Sequence, residues 1–180
     1  DFHKLIVPAV THWNHPRFMA YFPSSSSGPA VLGEMLASVL NTNAIIWKSA
    51  PASTELEMVT LGWLRQWLGL PEGFFGIMYD TASTGTLHAI VAAREMADPQ
   101  IRDKGLRGGL TLYTSAQSHS SVEKGAIAAG VGRENVRRIP VDAEFRMRVD
   151  ALAEAVEKDR QAGLKPFCVV ATVGTTSTAS

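Results

Sequence analysis

Cysteine is nearly absent. Cys168 stands alone inside an apolar run, so no disulfide can form within these 180 residues, and a reducing, cytoplasmic setting is the expectation. Excess charge is absent too: 17 Lys+Arg balance 17 Asp+Glu. With neither a basic surplus nor a basic block, a nucleic-acid or anionic-membrane partner is not expected. No apolar stretch approaches the roughly 18–20 residues that a membrane-crossing helix needs, and no signal-peptide pattern opens the chain. Two phosphate-binding signatures are missing as well. No Gly-Lys-Ser/Thr follows any glycine-rich turn, and the glycine spacing fits no dinucleotide fingerprint.

What is present is an ordinary folding composition, 46% apolar and 19% charged, enough for one domain with a hydrophobic core. The first ~28 residues are irregular and aromatic, ending in the loop signal Pro23-Ser24-Ser25-Ser26-Ser27-Gly28. Helical periodicity runs from Pro29 to Leu40. A second helix is expected from about Pro51, with Thr54 and Glu57 spaced as a capping box. It carries Trp63 and Trp67, expected in a core or subunit interface, and stops at Gly69 and Pro71.

Beyond Pro71 the rhythm becomes strand, loop, helix. Strands are expected at Phe75–Tyr79, Leu110–Thr114, Val136–Pro140 and Pro166–Val173. Helices are expected through Leu87–Val91, after a Ser120/Glu123 capping box, and from an Asp150 cap to about Gly163. This alternation predicts an α/β fold with a mostly parallel sheet. Residues 1–70 read as an N-terminal loop and helical segment, and 71–180 as part of a larger α/β domain. The start at Asp1 and the stop at Ser180, just past a strand, are read as cut ends of a longer protein.

Ligands of open α/β sheets bind beyond the carboxyl ends of the strands, near helix N-termini. Three loops fall there. Asp80–Thr86 is small and hydroxyl-rich and runs into a helix, so free N–H groups and the hydroxyls of Thr81, Ser83 and Thr84 could take a phosphate; plain N-capping explains it equally well when taken alone. The second loop carries His119, either a structural histidine or one that stacks on a planar cofactor or moves a proton. The third is Gly174-Thr175-Thr176-Ser177-Thr178. Three such loops in order favour a phosphorylated cofactor.

Several collinear blocks carry a resemblance: His12-Trp13-Asn14-His15-Pro16-Arg17-Phe18, Ala20-Tyr21-Phe22-Pro23-Ser24, Ser49-Ala50-Pro51-Ala52-Ser53-Thr54-Glu55-Leu56-Glu57, Ser118-His119-Ser120-Ser121-Val122-Glu123-Lys124 and Ala171-Thr172-Val173-Gly174-Thr175-Thr176-Ser177. Together they resemble the group II pyridoxal-phosphate (PLP) decarboxylases, most of all the aromatic-L-amino-acid decarboxylases.

The resemblance implies a homodimeric fold-type-I PLP-dependent transferase-like enzyme, of which this is the N-terminal part of the large domain behind a helical segment. It implies that Ala82 and Ser83 hold the cofactor phosphate, that His119 stacks on the pyridine ring and contacts substrate, and that Thr175 and Thr176 lie beside the cofactor. Trp13, Tyr21, Phe22, Pro23 and Ser24 would line the pocket for an aromatic L-amino acid, with Ile45 and Ile46 in a segment completing the partner's pocket. Thr81-Ala82-Ser83 departs conservatively from the family's usual Ser-Ala-Ser, whereas Asn43, Ile45 and Ile46 are less typical and bear on the choice of substrate. The family's Schiff-base lysine, its pyridinium-pairing aspartate and its catalytic-loop tyrosine match nothing here and would lie beyond Ser180.

The implied reaction is decarboxylation to the amine by the full-length protein, these 180 residues alone being inactive. Readings left beside it are a decarboxylating aldehyde synthase, a glutamate or histidine decarboxylase, and a catalytically inert PLP- or phosphate-binding piece.

Overall fold

The computed structural model describes residues 1–21 and 26–180. The chain divides into two units, Asp1–Met78 and Tyr79–Ser180.

The first unit opens with a wide helical turn, Phe2–Ile6, and a 3-10 turn, Val7–Ala9. Helix α1 spans Gly28–Leu40, with the Ser27 hydroxyl accepting from the Ala30 amide and Asn41 closing it in the left-handed region. Helix α2 spans Pro51–Trp67. The Thr54/Glu57 capping box does not form. Thr54 lies inside the helix and donates its hydroxyl to the Ala50 carbonyl, while Glu57 accepts from the Met78 amide at 2.8 Å. That last bond bears on a second correction, since Phe75–Tyr79 is not a strand. No described strand pairs with it, and a side chain from α2 takes an amide that a ladder would have used. Trp63 and Trp67 are 50% and 77% exposed rather than core.

In the second unit, α3 (Ala82–Ala97), a short α4 (Ile101–Lys104), β1 (Leu110–Ser115), α5 (Ser121–Ala128), β2 (Val136–Ile139), α6 (Val149–Gln161) and β3 (Lys165–Val170) follow in order. The three strands form a parallel sheet in the order β2-β1-β3. The register slips by one residue between Thr111 and Leu112, where β1 moves from Pro166 to Cys168. Proline has no N–H to give the ladder, so an irregularity beside it is physically reasonable.

Strand β1 is buried along its whole length because both faces are covered. Leu112 points into a core of Ile90, Val122, Ala126, Ala129 and Val131, to which α3 and α5 contribute. Its neighbours Thr111 and Tyr113 take the opposite face, where the Tyr113 hydroxyl donates to Asp159 of α6 at 2.6 Å.

Gly125 sets the approach of α5 to α3. A β-carbon there would lie 3.3 Å from Ile90 Cδ1 and 3.5 Å from the Leu87 Cα. Gly125→Val is therefore expected to force the helices apart and to destabilise the full-length protein by roughly 1–3 kcal/mol, read as a lower urea midpoint. An unchanged midpoint would mean that the contact yields freely.

The expected caps of α5 and α6 also differ. Ser120 is the N-cap of α5 but has helical backbone angles (φ −58°, ψ −17°) and makes no side-chain cap bond, and Glu123 does not reach back to it but pairs with Arg138 at 2.7 Å and Arg133 at 3.2 Å. Helix α6 starts one residue before Asp150, whose carboxylate pairs with Arg148 instead.

Candidate active site

The loop foreseen at Asp80–Thr86 is an N-cap followed by the first turn of α3. Thr81 is the cap: its hydroxyl accepts from the Thr84 amide at 3.2 Å and lies 3.0 Å from the Thr84 hydroxyl. Plain capping thus accounts for Thr81 and Thr84. It leaves the Ala82 and Ser83 amides without a protein acceptor among the described residues, as the open end of a helix must. The Ser83 side chain is exposed.

His119 lies on the short connection between β1 and α5. Its Nδ1 is approached by the Ser121 amide at 3.2 Å and the Ser121 hydroxyl at 3.0 Å. The same connection is braced by Thr114, which donates its hydroxyl to Ser118 at 2.7 Å, and by Ser115, which accepts from the Gln117 amide at 3.1 Å.

The turn after β3 treats its two threonines differently. Thr175 is buried, and its hydroxyl is taken up within the turn by Thr178 and Ser180. Thr176 is exposed.

These pieces meet. Ala82 and Ser83 from α3, His119 and Ser121 from the start of α5, and Thr176 after β3 line one cleft of about 570 Å³. Thr86, Val122 and the Val170–Val173 segment complete its wall, and no carboxylate lines it among the described residues. Thr175 is not among its lining residues. A cleft offering open helix amides, hydroxyls and an imidazole, without a carboxylate, fits a phosphorylated, planar ligand.

Ser121 and Thr86 were not singled out from the sequence. The signal for Ser121 was its place two residues after a histidine at a helix start, a spacing from which an amide reaches back to the ring.

The remaining candidates belong to the first unit. Trp13 stacks on Phe18 (centroids 5.0 Å, planes 27° apart) and on Tyr21 (5.4 Å, 8°). Tyr21 adopts a positive φ of 58° and is 75% exposed. Ile45 and Ile46 are 78% and 56% exposed. Phe22, Pro23 and Ser24 lie outside the described residues.

A parallel α/β sheet with such a cleft beyond its strand ends is the architecture of a ligand-binding or catalytic α/β protein. Residues 1–180 match the family model for the pyridoxal-dependent decarboxylase conserved domain, and the chain belongs to that family. It is 44% identical to the aromatic-L-amino-acid decarboxylase of Bos taurus, an alignment covering 100% of this chain and 39% of that protein. Among solved structures, Oryza sativa TDC with PLP and tryptamine superposes with a TM-score of 0.92 at 38% identity, over 99% of this chain and 39% of that one. The 4-hydroxyphenylacetaldehyde synthase of Rhodiola rosea does so with a TM-score of 0.90 at 38% identity, over 98% and 39%. The chain spans about two-fifths of the length of each.

Proposed function

We propose that the full-length protein decarboxylates an aromatic L-amino acid to its amine with the help of PLP. The observation carrying this reading is the convergence of Ser83, His119 and Thr176, from three separate segments, on one cleft.

In this reading Ala82 and Ser83, with the open amides of α3, hold the cofactor phosphate, and His119 and Thr176 flank its ring. Bound there, PLP supplies an electron sink for the charge released as the carboxylate leaves as CO2. The chain's own part is to orient. The helix end fixes one pole of the ligand electrostatically, and the imidazole keeps the ring plane and offers a hydrogen bond to the substrate. Trp13 and Tyr21, already stacked, bind an aromatic side chain, together with Phe22, Pro23 and Ser24. Two copies assemble, with Ile45 reaching the partner's pocket. The exposed apolar residues of α1, such as Leu36 and Val39, support such burial. The 180 residues alone are inactive in this reading, because the lysine that tethers the cofactor matches none of theirs.

The likeness to the Rhodiola rosea synthase supports a second reading, in which O2 and water are consumed and aldehyde, ammonia and hydrogen peroxide appear beside CO2. The two are told apart by supplying the full-length protein with PLP and L-tryptophan, L-tyrosine or L-phenylalanine and measuring all products. Amine equal to CO2 is the expected result. Aldehyde and peroxide equal to CO2 would establish the second reading and sink the first; no CO2 from any of the three would sink both.

A further inference from the structure

Helix α5 begins without a side-chain cap from Ser120. The amide of its first residue, Ser121, belongs to the group that no helix can satisfy internally. It finds its acceptor in His119 Nδ1 at 3.2 Å. An amide N–H can only donate, so Nδ1 must keep its lone pair and the ring proton must sit on Nε2. The Ser121 hydroxyl, 3.0 Å from the same nitrogen, is then obliged to donate as well. A proton on Nδ1 would face the amide N–H and forfeit that bond, and the hydroxyl could then keep its contact only by turning round to accept. Among the described residues His119 Nε2 has no protein partner, and both His119 and Ser121 line the cleft.

We propose that Ser121 is a positioning residue for His119: its amide and hydroxyl jointly lock the imidazole as the Nε2–H tautomer. The ring therefore meets whatever enters the cleft as a hydrogen-bond donor, suited to an acceptor such as a carboxylate. The amide bond thus serves the capping need of α5 and the orientation of the functional ring at once, and the hydroxyl bond adds to the second. This rests on the reading of His119 given above, but the tautomer can be measured independently of catalysis.

The test uses the full-length holoenzyme with ring-15N histidine, observed by solid-state NMR. His119 is assigned by the signals lost in His119→Gln. The wild type is expected to show His119 with Nε2 protonated and Nδ1 bare. Ser121→Ala, which suits a first helical turn and keeps the amide, is expected to give a mixture of tautomers and a roughly threefold to tenfold lower kcat with little change in KM. Ser121→Thr, which restores the hydroxyl, is expected to return both to the wild-type values. A protonated Nδ1 in the wild type overturns the proposal, and so does a Ser121→Ala protein with unchanged nitrogen signals and unchanged kcat. If the wild type takes up no PLP, the functional reading fails instead, and the nitrogen signals of the cofactor-free protein still decide whether Ser121 holds the ring.

Discussion

Replacing His119 with alanine in the full-length protein is expected to lower the rate of the proposed decarboxylation by roughly a hundredfold to a thousandfold, the range found when one aimed hydrogen-bond donor is removed. The His119 side chain is exposed, and it is the only imidazole lining the cleft among the described residues. Alanine removes the plane beside the ligand and the Nε2 donor together. It leaves α5 one acceptor short, a loss that solvent can make good at an exposed helix start. The measurement is CO2 release at saturating substrate, with bound PLP quantified by its visible absorption. Retained cofactor with the rate greatly reduced is the expected pair of results. Decarboxylation at the wild-type rate would remove His119 from the mechanism.

The second large effect concerns stability. Asp159 of α6 is 5% exposed and receives the Tyr113 hydroxyl at 2.6 Å and Arg137 through Nε at 2.9 Å and Nη2 at 2.8 Å. The Arg137 guanidinium holds its carboxyl below the usual carboxylate range, against the opposing effect of burial. Burial, followed by the hydrogen bond to Asp159, pushes the Tyr113 hydroxyl above its ordinary value.

Arg137→Ala leaves a buried carboxylate with only a neutral partner. The expected cost is roughly 3 kcal/mol, at the low end for buried pairs because the Arg137 side chain is itself 28% exposed. The double variant Arg137→Met/Asp159→Leu is expected to recover most of it, since an apolar pair of similar size needs no compensation. Urea midpoints of the two variants decide the matter; equal midpoints would mean that the ion pair is not what the single change breaks.

The pH dependence follows from the directions. A depressed carboxyl stabilises the fold above about pH 4, the unfolded value, and that stability drains away as pH falls towards the folded value. A raised tyrosine leaves stability intact until pH passes about 10. The network should therefore be fully effective through the neutral range and fail first in acid, and Arg137→Ala should flatten the acid limb.

Where local pattern and tertiary environment agree, the sequence was easy to read. The segments expected as strands at Leu110–Thr114, Val136–Pro140 and Pro166–Val173 are strands, with ends that differ by a few residues only, and the central one is buried throughout while the two edge strands are partly exposed. The three loops were legible as turns at a helix start or a strand exit, but capping alone could explain a hydroxyl-rich turn, and only their common cleft sets them apart. The failures share one cause. Glu57 and Glu123 have the spacing of capping boxes, yet each is claimed by a group distant in sequence: the Met78 amide and the arginines at 133 and 138. Phe75–Tyr79 has the composition of a strand, but pairing is a property of two segments, and one of them is not there among the described residues. Thr175 and Thr176 look interchangeable on paper. Only the fold of their turn buries one and leaves the other facing the cleft.

The strand order β2-β1-β3 also carries a lesson about biosynthesis. During translation β1 emerges first and can gain β2 some twenty residues later, but its other edge stays open until the segment from Lys165 onward has cleared the ribosome. Throughout that interval Leu112 and Tyr113, which end up wholly enclosed, sit on a strand with one bare margin. The nascent polypeptide is thus most prone to mispairing in the window between those two events. A holding chaperone would do most good at that point.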